Sequence, residues 1–371
     1  MIFLFVIIFL FVCYSFLIVY YWQSWRSIPD FIAPADSPQI KISVIIPARN
    51  EEENIVNLLK ALVEQTYPKE FFEIIVVDDH SDDNTADVVL TFSNVKLIRL
   101  TDDNINSYKK KAIETGIAAA TGDLIVTTDA DCIPAKEWLK TIVSFKEKTS
   151  AVFIAAPVAF KNDPSLLQVF QALDFLTLQG ITGASVFKSI HSMCNGANLA
   201  YEKKIFYEVN GFADVDDIAS GDDMLLMHKI WKKYPEQVHF IKSKEAIVTT
   251  KPMKTWKEFF NQRIRWASKA TRYNDKRIFF VLLLVYLFNL SFLMLLVAGC
   301  WLPEYWIWLG VLWVAKTIIE FPLVYSVSVF FNMQKLMIYF FFFQPLHILY
   351  TIISGLLGQF GKYEWKGRKV K

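Results

Sequence analysis

Asp129-Ala130-Asp131 stands at the end of a short apolar run, Leu124–Thr128. In an extended chain, residues i and i+2 point to the same side. Two carboxylates so placed can hold Mg²⁺ or Mn²⁺, with phosphate oxygens and water completing the shell. Such an ion would neutralise charge building on a departing diphosphate. Asp78 and Asp79 end a second apolar run, Ile74–Val77. A carboxylate there can accept a hydrogen bond from a base or ribose, or cap a turn into His80-Ser81-Asp82-Asp83. Gly221-Asp222-Asp223 is a third acidic site. A carboxylate near others and partly desolvated has a raised pKa, which suits a general base. Pro47-Ala48-Arg49-Asn50-Glu51 follows the run Ile42–Ile46, and Asn50 reads as an N-cap with acids in the first turn. Gln262, Arg265 and Trp266, three and four apart, share a helix face. Arg265 can pair with a diphosphate, and Trp266 can stack on an acceptor or anchor at an interface.

These groups need a scaffold that brings strand ends together. Apolar runs at Ile42–Ile46, Ile74–Val77, Val95–Leu100 and Leu124–Thr128 alternate with helical spacing over Asn50–Gln65 and Lys109–Ala120, the latter stopped near Gly122. Alternating strands and helices predict an α/β domain with a mostly parallel sheet. Ligands of such sheets bind beyond the carboxyl ends of the strands, where these acids fall.

The 371 residues are 54% hydrophobic, yet 20% are charged. That mixture predicts a polar domain and separate apolar segments. Met1–Tyr21 carries no charge and matches the roughly 20 residues that span a bilayer. It lacks the basic start and small-residue cleavage site of a signal peptide. Trp22 and Trp25 read as interfacial anchors followed by Arg26, and because no Lys or Arg precedes the helix its C-terminal end is expected in the cytoplasm. Further apolar segments run over 278–299, 305–330 and 336–360. The loop at Pro303-Glu304 has no basic residue and reads as outside. The tail with Lys362, Lys366, Arg368, Lys369 and Lys371 prefers the inside. A break at Gln344-Pro345 would reconcile the two. Lys316 and Glu320, i,i+4 within an apolar segment, are either functional or a neutralising pair. Leu166–Gly180 reads as an interfacial or core-facing helix. Thr255–Ala270 reads as an interfacial one, with Trp256, Phe260 and Ile264 on one side and Gln262, Arg265 and Lys269 on another, leading on through Arg272, Lys276 and Arg277.

The net charge of +2 excludes a global case for nucleic-acid binding. Cys13, Cys132, Cys194 and Cys300 show neither disulfide nor zinc spacing. The expected organisation is a transmembrane helix over 1–25, an α/β domain over 40–250, an interfacial helix over 251–277, transmembrane segments over 278–361 and a basic tail over 362–371.

Taken in order, IPARNEEENI at Ile46–Ile55, VVDDHSDD at Val76–Asp83, TTDADC at Thr127–Cys132, GDD at Gly221–Asp223 and QRIRW at Gln262–Trp266 resemble the family 2 inverting glycosyltransferases of GT-A fold. The resemblance implies a Rossmann-like cytoplasmic GT-A domain carried on interfacial and transmembrane helices. It implies a nucleotide-sugar donor, UDP-linked by family habit, with Pro47, Arg49, Glu51, Asp78, Asp79, Lys109, Asp129, Gln262 and Arg265 on the donor side. Lys109 matches the lysine of the family's Gly-Lys pair, although Tyr108 replaces the glycine. Asp129 and Asp131 would hold Mg²⁺ or Mn²⁺. Asp223 would be the base, beside Asp222 where the family has Glu, and Trp266 would meet the acceptor. The tail Trp365-Lys366-Gly367-Arg368 resembles the ends of membrane glucosyltransferases acting on ceramides and carotenoids. Single transfer to a membrane lipid, at the inner or plasma membrane, is therefore expected. Processive synthesis of the cellulose or hyaluronan type is the alternative, and a binding-only scaffold a third.

Overall fold

The computed structural model describes residues 2–35, 39–102, 107–161, 165–213, 221–269, 275–360, 363–365 and 368–370. Arg272, Lys362, Lys366 and Lys371, given roles in the sequence reading, lie outside them. In chain order the principal elements are α1 (Ile2–Ser27), β1 (Ile42–Ala48), α2 (Ile55–Val63), β2 (Phe72–Asp78), α3 (Thr85–Leu90), β3 (Val95–Arg99), α4 (Tyr108–Ala119), β4 (Leu124–Thr127), β5 (Ile133–Pro134), α5 (Trp138–Thr149), β6 (Phe153–Ala155), β7 (Val158–Phe160), α6 (Leu166–Phe187), β8 (Leu199–Glu202), α7 (Lys203–Glu208), α8 (Asp222–Lys233), β9 (Val238–Phe240), β10 (Val248–Thr250), α9 (Trp256–Ala267), α10 (Lys276–Gly299), α11 (Glu304–Phe330) and α12 (Phe340–Phe360). They form two compact units.

The first unit, built from 29–161, 192–251 and 364–371, contains both main sheets. Its seven-stranded sheet runs β3-β2-β1-β4-β8-β6-β9. All neighbours are parallel except β8, which is antiparallel to β4 and β6. β1 sits between β2 and β4, and its Ile42, Val44, Ile45 and Ile46 are at most 1% exposed. Burial on both faces explains why these strands read as continuous apolar runs rather than alternating ones. A smaller sheet, β5-β10-β7, lies in the same unit.

Gly122, just before β4, allows β1 to come close. A Cβ at this position would lie 2.6 Å from the backbone of Ile42 and Ser43. Its N–H donates to Ser43 Oγ at 2.9 Å. Gly122→Ala is expected to destabilise this unit by about 1–3 kcal/mol, the usual cost of overpacking a tight site. The unfolding midpoint of the detergent-solubilised protein, read by circular dichroism, checks this; an unchanged midpoint contradicts it.

Two sequence expectations fail in this unit. Asn50 is not an N-cap. Its φ is +51°, and its Oδ1 accepts from the N–H of Asp82. The helix begins four residues later, after Asn54. Asp129-Ala130-Asp131 is a turn rather than an extension of β4: the strand ends at Thr127, and the N–H of Cys132 donates to Asp129 O at 3.1 Å.

The second unit comprises residues up to 28, residues 252–363, and the stretch 162–191 that the sequence placed within the sheet domain. Four of its helices are long and apolar enough to cross a membrane: Ile2–Ser27, Lys276–Gly299, Glu304–Phe330 and Gln334–Gln359. Trp25 is not an interfacial anchor but is 1% exposed, edge-on to Phe330. Helix α6 is core-facing, since most of its residues are buried. In α9 the buried residues are Phe259 and Arg263, a face the apolar spacing did not single out, and Lys269 is also buried. The expected break at Gln344-Pro345 is absent. A 3₁₀ segment, Gln334–Tyr339, precedes α12, and α12 itself runs through Pro345. Lys316 and Glu320 pair at 2.7 Å. Gln344 closes the set, accepting from Lys316 and donating to Glu320, both at 2.6 Å, and the Tyr14 hydroxyl donates to Glu320. Lys316 and Glu320 thus sit in a hydrogen-bonded set with Gln344 and Tyr14. Among the tail's basic residues, Arg368 and Lys369 fall in a short strand, Arg368–Val370.

Candidate active site

The first unit gathers its acids beyond the carboxyl ends of β1, β2 and β4. β1 and β2 are in register from Ile42↔Phe72 to Ala48↔Asp78, whereas β4 stops opposite Ile45. The turn after β4 therefore follows beside the last residues of β1. The N–H of Thr128 donates to Ile45 O, and that of Asp79 donates to Ala48 O at 2.8 Å.

On the β2 side, Asp79 is 2% and Asp78 5% exposed. Asp79 Oδ1 lies 3.0 Å from His80 Nδ1. Asp78 Oδ1 is buried without a hydrogen-bond partner, an acceptor position that a ligand could satisfy. Pro47 is the second-last residue of β1, opposite Val77. Arg49 donates through Nη1 to the carbonyls of Asp79 and His80, at 2.8 and 2.7 Å, and reaches Asp82 at 3.5 Å. Its guanidinium braces the loop after β2. Glu51, 9% exposed, accepts from Asn54 Nδ2 at 2.7 Å, while its N–H donates to Thr85 Oγ1.

On the β4 side, Lys109 is the centre. The first turn of α4 carries its Nζ to 2.7 Å from Asp129 Oδ1 and 3.6 Å from Asp222 Oδ2. Tyr108, where the family has glycine, meets His80 edge-on at 5.8 Å and ties this helix start to the loop after β2. Burial alone would lower the Lys109 pKa, but Asp129, Asp222 and Asp223 outweigh it and hold the ammonium above its usual value. The acids are thus not left to repel one another, as the sequence reading supposed; a lysine stands among them. Three carboxylates thus act on one ammonium.

Asp222 and Asp223 open α8, after Gly221 at φ +85°, a conformation that L side chains disfavour. Asp222 is buried and faces Lys109, whereas Asp223 is half-buried. Asp223 Oδ2 accepts from the N–H of Gly196 at 3.0 Å, and Oδ1 from that of Met224 at 2.8 Å. Gly196 escaped the sequence reading. A Cβ there would lie 3.2 Å from Asp222 Oδ2 and 3.5 Å from Lys109 Nζ. It belongs to Asn195–Asn198, the loop before β8. Because β8 is antiparallel to β4, its beginning meets the end of β4, Leu199 opposite Thr127. The Asn195-Gly196 turn signal was readable in the sequence; the direction of β8 was not.

Asp131 Oδ2 accepts from Thr250 Oγ1 at 3.1 Å. Among the described residues no three His, Cys, Asp or Glu side chains converge as metal ligands. The described residues therefore supply no complete coordination shell. Two hard carboxylates, Asp129 and Asp131, do fit an ion of Mg²⁺ type that takes its other ligands from phosphate and water. Burial first, then Asp131 and Asp129, push Cys132 well up, and burial with Asp223 and Asp222 does the same to Cys194, so both stay protonated.

Gln262, Arg265 and Trp266 belong to the helical unit. They lie on α9, which Thr255 and Glu258 open with a reciprocal capping box.

The sheet unit is thus a GT-A-like α/β domain whose acids face a common strand-end crevice, and comparison with known proteins gives its class. Residues 43–210 match the model of glycosyl transferase family 2. It is 32% identical over 235 residues to the probable glycosyltransferase YdaM of Bacillus subtilis, covering 61% of this chain and 54% of that one. It is 24% identical to the poly-β-1,6-N-acetyl-D-glucosamine synthase of Staphylococcus epidermidis, over 61% of this chain and 53% of that one. It is 28% identical to a dolichyl N-acetyl-α-D-glucosaminyl phosphate glucuronosyltransferase of Methanococcus voltae, over 45% and 49%. The chain spans about half the length of these curated relatives. The solved mannosyltransferase PcManGT of Pyrobaculum calidifontis, in complex with GDP-Man and Mn²⁺, has the same fold. The match has a TM-score of 0.60 at 19% identity and covers 95% of this chain and 98% of that one.

Proposed function

We propose that this protein is a membrane-bound, inverting glycosyltransferase that moves a sugar from a nucleotide-sugar, UDP-linked by preference, to the hydroxyl of a lipid acceptor. The observation that carries the reading is the convergence of Asp129, Lys109, Asp222 and Asp223 beyond the strand ends of the sheet, in the same unit as Asp78 and Asp79. Asp79, Glu51 and Asp78 bind the nucleoside, with Pro47 and Arg49 shaping that end. Lys109 faces the diphosphate.

Asp223 is the base because it is the half-buried acid of its pair, with its carboxylate oriented by two backbone N–H groups. It takes the proton of the acceptor hydroxyl. That oxygen attacks the anomeric carbon from the face opposite the diphosphate, the bond to the diphosphate breaks, and configuration inverts. The transition state has oxocarbenium character, as in glycoside hydrolysis. A divalent ion held by Asp129 and Asp131 would supply charge neutralisation at the leaving diphosphate. Gln262 and Arg265 act on the diphosphate and Trp266 on the acceptor. The catalytic domain lies on the cytoplasmic side of the inner or plasma membrane.

The relative that acts on a dolichyl-linked sugar supports a lipid acceptor, and the polysaccharide synthase supports a polymer as the second reading. One experiment decides between them. The protein in nanodiscs made from its host's lipids is given Mn²⁺ and radiolabelled UDP- and GDP-sugars. Label is expected in the organic phase, with a UDP-sugar as the donor. Label in high-molecular-weight polymer overturns the acceptor assignment, and label from a GDP-sugar overturns the donor assignment.

A further inference from the structure

We infer that Arg263, the unassigned arginine inside the Gln262-Arg263-Ile264-Arg265-Trp266 stretch, is the positioning residue that presents Gln262 and Trp266, with Asp174 as its fixed counter-charge.

Arg263 is 4% exposed and Asp174 5%. Arg263 Nε and Nη2 both donate to Asp174 Oδ2, at 3.0 and 2.6 Å. The third nitrogen, Nη1, donates to Gln262 Oε1 at 2.6 Å. The guanidinium plane also lies over two rings, 4.4 Å from the Trp266 centroid and 4.7 Å from that of Phe259. One buried cation therefore touches the side chains of two of the three motif residues. Asp174 is itself held, from α6, by the Tyr350 hydroxyl of α12, with His347 Nε2 3.9 Å away. Around the pair, Phe170, Phe259, Phe343 and Tyr350 form an apolar shell that is at most 9% exposed.

A bare ion pair in such a shell contributes little net stability, because desolvation offsets its attraction. A planar fork with five donors does something that a hydrophobic pair or a lysine cannot. It fixes a carboxylate, an amide and an indole in one geometry. Misplacing a reacting or binding group by about 1 Å costs roughly 10²-fold in rate. The inference rests on the proposed role of Gln262 and Trp266, and its test separates the two.

The substitutions are Arg263→Lys, which keeps the charge opposite Asp174 but loses the fork and the planar stacking, and Asp174→Asn/Arg263→Gln, which strands no buried charge if the single change fails to fold. The full-length protein is labelled with 5-fluorotryptophan, and the Trp266 ¹⁹F resonance is assigned by Trp266→Phe. Both variants are expected to shift or broaden that resonance while the unfolding midpoint of Arg263→Lys stays near wild type. Each is also expected to lose roughly 10²-fold in transfer kcat, with little further loss when Gln262→Ala and Trp266→Phe are added, since residues acting as one unit are non-additive. An unmoved resonance, or full activity in Arg263→Lys, makes the pair merely structural and overturns the inference. A moved resonance with normal transfer by Gln262→Ala and Trp266→Phe leaves Arg263 as the positioning residue and overturns the proposed role of the motif instead.

Discussion

Asp223→Asn is expected to lower the turnover of sugar transfer by about 10²–10⁴-fold, the range that a positioned general base contributes, while Mn²⁺-dependent UDP binding stays near wild type. The substitution removes the proton acceptor and keeps the shape. Met224 N–H can still donate to the carboxamide oxygen, but the amide nitrogen then meets the N–H of Gly196, donor against donor. That mismatch costs about 1–3 kcal/mol and should show in the unfolding midpoint. UDP binding, measured by calorimetry on the same preparation, separates loss of chemistry from loss of the site. Asp222→Asn should behave differently. Asp222 faces Lys109 rather than the open side, so its loss should act through the lysine and weaken donor binding together with turnover. If Asp223→Asn abolishes UDP binding, Asp223 is a donor ligand and the base lies elsewhere.

The sequence showed the parallel half of the site more clearly than the rest, for a physical reason. Ile42–Ile46, Ile74–Val77 and Leu124–Thr128 are buried on both faces, so they appear as unbroken apolar runs, and each is punctuated by Pro47, Asp78-Asp79 or Asp129. Strand ends, and with them the acids beyond the ends, could be placed from one chain. Lys109 was legible only through family likeness, because nothing in Tyr108-Lys109-Lys110 says which lysine turns inward; the structure gives that place to Nζ of Lys109. Gly196 stayed hidden because apolar spacing carries no strand direction. Only the antiparallel course of β8 brings its leading loop to the acids. Asn50 misled because a loop asparagine followed by three glutamates imitates a helix start, while its side chain in fact serves the backbone of Asp82. Arg263 was passed over because a charged residue between motif positions reads as solvent-facing. Its counter-ion, Asp174, lies 89 residues away along the chain, beyond the reach of any local pattern.

The second large effect falls on Asp131. Asp131→Ala is expected to weaken UDP binding in Mn²⁺ by on the order of 10²-fold, equivalent to about 2.7 kcal/mol, and to change it little in EDTA. Both carboxylates of the turn have protein partners, but unequal ones. Asp129 is engaged by the Lys109 ammonium at 2.7 Å, whereas Asp131 accepts from the Thr250 hydroxyl at 3.1 Å. An arriving cation must share Asp129 with that ammonium, which should reduce what Asp129 contributes to its attraction. Asp129→Ala should therefore weaken Mn²⁺-dependent binding less than Asp131→Ala does. Its loss would also release Lys109 toward Asp222 and change binding in EDTA, where Asp131→Ala would not. Titrating UDP into the wild type and both variants, in Mn²⁺ and again in EDTA, reads all four differences. Equal losses in the two media for Asp131→Ala would remove the metal from its role and leave Lys109 as the cation that meets the diphosphate.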